Sequence, residues 1–165
     1  MDMNRMTIKL QEALQSASAL AMRRGHQGID VEHLLLALME QEGGIAGSLF
    51  EQAGVSPAAV RQAAEQALTK VAQVHGPGAA PGQIHLTPRL GSLLTKADDR
   101  MKELRDEFVS VEHIILAMVE EGGIFRRLNL THERLLTALQ QVRGNQRVTS
   151  QDPEGTYQAL EKYGR

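Results

Sequence analysis

The 165-residue chain contains no cysteine and no tryptophan, and two tyrosines and three phenylalanines hold its aromatic content at 3%. Lack of cysteine excludes a disulfide framework, a thiolate nucleophile and a cysteine-ligated zinc. With so few aromatic rings, the core must be filled by Leu, Ile, Val, Met and Ala, the side chains that helices use well. An excess of either charge is missing too: 18 Lys and Arg stand against 20 Asp and Glu, a net −2. No basic footprint for a phosphate backbone exists, so nucleic acid is not an expected partner. Nowhere do 18 apolar residues run together, and the opening MDMNRMTIKLQEAL carries charges where a signal peptide needs an apolar stretch. The expectation is a cytoplasmic chain with no membrane partner.

Apolar residues make up 42% of the chain, and their spacing is helical. From Thr7 onward, Leu10, Ala13, Leu14, Ala17, Leu20 and Ala21 recur every three or four positions, which predicts a helix capped by Thr7 and ended near Gly25 and Gly28. Asp30 caps a second helix, 31 to about 41, closed by Gly43 and Gly44. A short third covers 45–53, and Ser56 with Pro57 opens a fourth that runs to about 72. HGPGAAPGQIHL, residues 75–86, holds three glycines and two prolines and reads as an irregular linker. Without a lysine it is no phosphate loop.

The pattern then restarts. Thr87 and Pro88 open a helix with Leu90, Leu93, Leu94, Ala97, Met101 and Leu104 on one face, and Ser110 caps the next, 111–121. Thr7, Leu10, Leu14, Ala17, Val31 and Leu36 meet identical residues 80 positions on, at Thr87, Leu90, Leu94, Ala97, Val111 and Leu116. VEHLLLALMEQEGG, from Val31, returns as VEHIILAMVEEGG, from Val111, without a counterpart for Glu42. The later caps Ser56 and Thr131 stand 75 apart. The expected fold is therefore all-α: two four-helix repeats, 1–72 and 87–143, joined by a linker over 73–86. A unit of about 70 residues does not easily bury its apolar faces alone, so the repeats should pack about a pseudo-twofold axis into one domain. LLLALM and IILAMV, apolar nearly all round, are the expected shared core. Beyond Gly144 the pattern ends, and 144–165 reads as a linker followed by the truncated start of something further.

Glu32 with His33, and Glu112 with His113, are the first places to look for catalysis or metal. A zinc-protease helix needs a second histidine four residues on, and neither helix supplies one. Both acids sit in a first helical turn, where negative charge favours the positive end of the helix dipole, and each histidine completes that turn. Capping and packing explain them. No Gly-x-Ser-x-Gly elbow occurs, and His26, His75, His85 and His132 have no companion base in sequence. A hydrolase would have to show turnover that vanishes when His33 or His113 is replaced. Two helical repeats meeting face to face form a seam of aliphatic and Met side chains. Such a seam either accepts an apolar segment of another chain or is filled by the core itself.

The opening NRMTIKLQEAL, the phrases DVEHLLLALMEQEGG and SVEHIILAMVEEGG, and the exit RVTSQDPEGTYQALEKYGR together resemble the N-terminal domain of the Clp family of ring-forming ATPase chaperones, the exit most of all its ClpB-type disaggregases. The resemblance covers essentially the whole chain. It implies a non-catalytic domain that weakly binds unfolded or aggregated polypeptides and passes them to a homohexamer working with a DnaK-type chaperone; with no coiled-coil heptad in the sequence, the fragment itself is expected to be a monomer. It implies no cofactor for this chain; ATP and magnesium would serve ATPase domains outside it. The alternative within the family is a platform for a folded adaptor, as in ClpA- and ClpC-type unfoldases. The resemblance assigns substrate handling to Thr7, Asp106 and Glu112, and Leu94 is their expected apolar neighbour. Asp106 answers to His26 in the first repeat and Glu112 to Glu32, so a site using both acids would exist on one half only.

Overall fold

The sequence places good caps before its longer helical runs, and the computed structural model, which describes residues 3–71, 84–144, 148–149, 151 and 153–154, forms helices behind them. The first repeat contains α1 (Ile8–Arg23), β1 (Gly28–Ile29), α2 (Val31–Glu40), α3 (Ala46–Gln52) and α4 (Pro57–Leu68). The second contains β2 (His85–Leu86), α5 (Pro88–Glu103), α6 (Val111–Glu121), α7 (Ile124–Arg127) and α8 (His132–Arg143). Thr7 Oγ1 accepts the Leu10 amide hydrogen at 3.3 Å, and its repeat partner Thr87 Oγ1 accepts that of Leu90 at 3.1 Å. Ser56 and Thr131 do the same for α4 and α8. Each cap satisfies an amide that the helix itself leaves without an acceptor.

The helices α1 and α5 end alike. The His26 amide donates to the Ala21 carbonyl at 2.9 Å, and the Asp106 amide donates to the Met101 carbonyl at 3.0 Å. This bond spans the last turn and needs a left-handed residue before it. Gly25 supplies it in the first repeat with φ of 70°; Arg105 supplies it in the second with φ of 59°, a conformation that costs a side-chain-bearing residue energy.

The pseudo-twofold axis is written in reciprocal hydrogen bonds. The Thr87 amide donates to the Ile29 carbonyl at 3.1 Å, and 80 positions earlier the Thr7 amide donates to the Val109 carbonyl at 2.9 Å. Each repeat thus lays the entry of its first helix against the entry of the other repeat's second helix. In one place this becomes the parallel pair β1 with β2, in the other an isolated bridge between Met6 and Val109. Residues 85–86, expected within the linker, are therefore paired strand; 72–83 lie outside the described residues. Parallel pairing with Gly28 and Ile29 supplies the ladder partners that a turn-rich sequence alone does not reveal.

One hydrophobic core runs through both repeats. Residues 31–38 of α2 and 111–119 of α6 are buried without interruption, as expected of helices apolar on all sides. Phe50 of α3 stacks on Phe125 of α7 with ring centroids 5.7 Å apart. The seam between the repeats is filled by this core. The option of an apolar crevice along it gives way, because α2 and α6 bring bulky Leu, Ile and Met side chains to both sides of the junction.

Candidate functional site

The second repeat gathers its polar residues at the start of α6. The left-handed turn at Arg105 carries Asp106 inward from the end of α5, and the dihedral change at Ser110 starts α6 beside it. Three groups then converge on the Asp106 carboxylate. His113 Nε2 lies 2.7 Å from Oδ2, Arg143 from the last turn of α8 donates to both oxygens, and the Val148 amide donates to Oδ1 at 2.8 Å. Burial opposes ionisation of Asp106, but these three donors outweigh it and hold the carboxyl at about 2.

His113 has a fixed tautomer. Its Nδ1 accepts the Ser110 amide hydrogen at 2.8 Å, so the ring proton sits on Nε2 and is donated to Asp106. Burial lowers the His113 pKa, and the ring is neutral. His33 repeats the arrangement: Nδ1 accepts the Asp30 amide hydrogen at 2.9 Å, but Nε2 meets His26 Nδ1 at 2.8 Å. There burial, the His26 ring and Arg24 pull the His33 pKa down to about 4 against the opposing pull of Asp30. Both histidines act as side-chain caps of a second-helix entry, which accounts for their position without catalysis. Among the described residues, no group of three or more His, Asp or Glu side chains could hold a metal ion.

Thr7, Asp106 and Glu112 come together at this junction; Leu94 belongs to the hydrophobic core and is buried on α5. All three polar residues are buried as well, Thr7 and Glu112 at 0% exposure. Val148, Gln151 and Glu154, expected within the linker and exit segment beyond Gly144, bond to this junction. The Ile8 amide donates to the Gln151 carbonyl at 2.8 Å and the Glu107 amide to the Val148 carbonyl at 2.7 Å. Thr7 Oγ1 donates to Glu154 Oε2 at 2.9 Å, and the Val111 amide donates to the same oxygen at 3.1 Å. Residues 155–165 lie outside the described residues.

Glu112 accepts from Ser110 Oγ through Oε1, and its Oε2 has no hydrogen-bond partner among the described residues. Burial pushes its pKa up to about 8; Arg143 works against the rise and Glu154 adds to it. A neutral Glu112 removes repulsion between two acids facing the same helix entry. In the first repeat the matching Glu32 is charged-paired instead, accepting from Arg89 Nη1 at 2.8 Å. Sequence reasoning overlooked Arg143, Val148 and Glu154, and read Ser110 as a helix cap alone. Only the isolated valine in the polar exit segment hinted that part of it is buried.

The family model of the Clp repeat N-terminal domain matches residues 5–131. The chaperone protein ClpB of Bacillus cereus is 48% identical over 169 residues, covering 100% of this chain and 20% of the relative. The chain thus spans about a fifth of the length of that curated relative. The Hsp104 N-terminal domain of Candida albicans has a similar fold at 21% identity, with a TM-score of 0.74 over 90% of this chain and 98% of that one. A ClpV N-domain solved in complex with VipB peptide overlays with a TM-score of 0.67 at 22% identity, covering 83% and 86%. Paired helix entries, the 80-residue register and these matches converge, and the chain belongs to the Clp repeat N-terminal domain family.

Proposed function

We propose that this domain recognises unfolded or aggregated polypeptide for a ClpB-type disaggregase, taking extended segments weakly at the junction formed by Thr7, Asp106 and Glu112. The observation that carries the reading is the set of outward donors at two helix entries. The Ile8 and Glu107 amides donate to the main-chain carbonyls of Gln151 and Val148, and the Val111 amide and Thr7 hydroxyl to the Glu154 carboxylate. Main-chain donors read no particular side-chain sequence, which suits a site that must take many clients. Each contact contributes about 1 kcal/mol net, so a single domain binds weakly and a ring of copies would multiply the effect. The homohexamer, its ATP and magnesium, and the DnaK-type partner are part of the same proposal. This domain's share is binding rather than bond making.

A second reading is docking of one defined partner peptide. The ClpV N-domain bound to VipB peptide, which shares the fold, favours it. One experiment separates the two. Titration with a permanently unfolded, reduced and alkylated protein is followed through backbone amide shifts. The expected result is movement at Thr7, Ile8, residues 106–112 and Leu94. Shifts that avoid all of these overturn the site, and binding confined to one folded adaptor favours the second reading.

A further inference from the structure

The Ile8, Glu107 and Val111 amides and the Thr7 hydroxyl at the junction are already engaged by this chain itself. Val148 is fully buried, its amide donating to Asp106 and its carbonyl accepting from Glu107. The Gln151 carbonyl takes the Ile8 amide, and its side-chain Nε2 donates to the Asn4 carbonyl at 3.2 Å. Six positions after Val148, the Glu154 carboxylate receives the Thr7 hydroxyl and the Val111 amide at the entry of α6. A carboxylate there gains both charge-assisted bonds and the positive end of the helix. In the first repeat the cap of α2 fills this role itself: Asp30 Oδ1 accepts from Thr87 Oγ1 at 3.0 Å and from the Val31 amide at 2.8 Å. The acceptor that the first repeat carries in its cap is brought to Val111, at the entry of α6, from 43 residues further along the chain.

We propose that Val148, Gln151 and Glu154 are a built-in pseudo-ligand of this groove, and that incoming polypeptides bind by displacing them with the same chemistry: a stretch with a small apolar residue and, six positions later, a carboxylate. This rests on the polypeptide-binding reading above and adds to it a selectivity and a competitor. Val148 is fully enclosed, so a larger side chain at the first anchor binds less well. A carboxamide at the second anchor loses the charge-assisted pair. Entry of a client is linked to release of the exit segment, which makes occupancy of the groove visible to whatever follows that segment in the chain.

The test uses the whole 165-residue chain, two variants and a labelled peptide carrying the nine residues RVTSQDPEG. In Val148→Asp a second carboxylate would have to be buried beside Asp106, so the built-in anchor cannot re-enter its enclosed position, and in Glu154→Ala the acceptor for Thr7 and Val111 is gone. Hydrogen exchange at the Ile8 and Glu107 amides should accelerate in both variants. Both should bind the peptide about tenfold more tightly than the unaltered chain, and replacing its glutamate by glutamine should cost about tenfold. Equal peptide affinity for all three chains, or indifference to the glutamine, overturns the proposal. An unfolded protein is then added as competitor. If it displaces the peptide, client and pseudo-ligand share the groove. If the peptide binds as expected and the unfolded protein does not displace it, the self-ligand stands and the client reading fails.

Discussion

The imidazole of His113 donates through Nε2 to Asp106 Oδ2 across 2.7 Å, while Nδ1 of the same ring caps the backbone of Ser110. One side chain thereby ties the entry of α6 to the exit of α5 and, through Asp106, to Arg143 of α8 and to Val148. In the first repeat the same ring position meets His26, a neutral partner that recruits no arginine. A single exchange of His26 for Asp106 at corresponding positions turns a closed cap into a hub that collects the end of the domain.

Asp106→Asn is expected to destabilise the domain by about 3 kcal/mol, because Arg143 remains buried with its main counter-charge removed. Urea unfolding monitored by circular dichroism reads this. Loss of well under 1 kcal/mol would show that Arg143 finds water or another acid.

Thr7→Val keeps the shape of the side chain but removes both the acceptor for the Leu10 amide and the donor to Glu154. The expected loss is about 1–2 kcal/mol, with Thr7→Ser restoring most of it. If valine and serine variants unfold alike, neither bond matters to stability.

Stability should fall on the alkaline side. Glu112 has its folded pKa raised to about 8 from 4.5, so its contribution is complete below 4.5 and is lost as pH rises towards 8. His33 acts in the opposite sense. Its folded pKa near 4 against 6.5 means that stability present above 6.5 is lost as pH falls towards 4. The two slopes oppose each other between 4.5 and 6.5, which leaves Glu112 unopposed between 6.5 and 8. A decrease of about 2 kcal/mol is expected over that interval, at about 1.4 kcal/mol per pH unit. Urea midpoints at pH 6.5 and 8 should show it in the unaltered chain and not in Glu112→Gln.

On the acid side, His33→Asn should flatten the decline between pH 6.5 and 4 that His33 causes, since asparagine can still face the Asp30 amide but takes up no proton. A variant that loses stability as steeply as the unaltered chain would place the acid sensitivity elsewhere, with His113 the next candidate because burial also lowers its pKa.

Arg89 joins the repeats, donating to Glu32 of α2 and to Glu121 of α6 at 2.8 and 2.6 Å. Arg89→Lys, with one compact charge in place of a planar fork, cannot hold both acids. Its cost should be about 1–2 kcal/mol, moderated because the arginine side chain is 35% exposed. Thermal unfolding of this variant beside Arg24→Lys, whose single pair with Glu65 stays within one repeat, gives the comparison. Equal small effects would show that Arg89 does not clamp the halves.

Local signals carried the helices and the duplication. Thr7, Ser56, Thr87 and Thr131 are legible as caps because a hydroxyl and the amide it serves are three residues apart. The all-round apolar runs of α2 and α6 announced the shared core, since no other environment accommodates such helices in water. The left-handed turn at Gly25 was legible from glycine, whereas its equivalent at Arg105 was hidden behind an ordinary side chain.

What the chain's own letters determined, then, is two capped helical repeats in an 80-residue register, because period, cap and turn are short-range consequences of backbone geometry. Only tertiary structure decided that Thr7 meets Glu154 and that Asp106 gathers His113, Arg143 and Val148. Apart from the bond between Asp106 and His113, these join positions 37 to 147 residues apart. They leave no periodic trace, and they form only after packing has removed water and given each buried charge a partner.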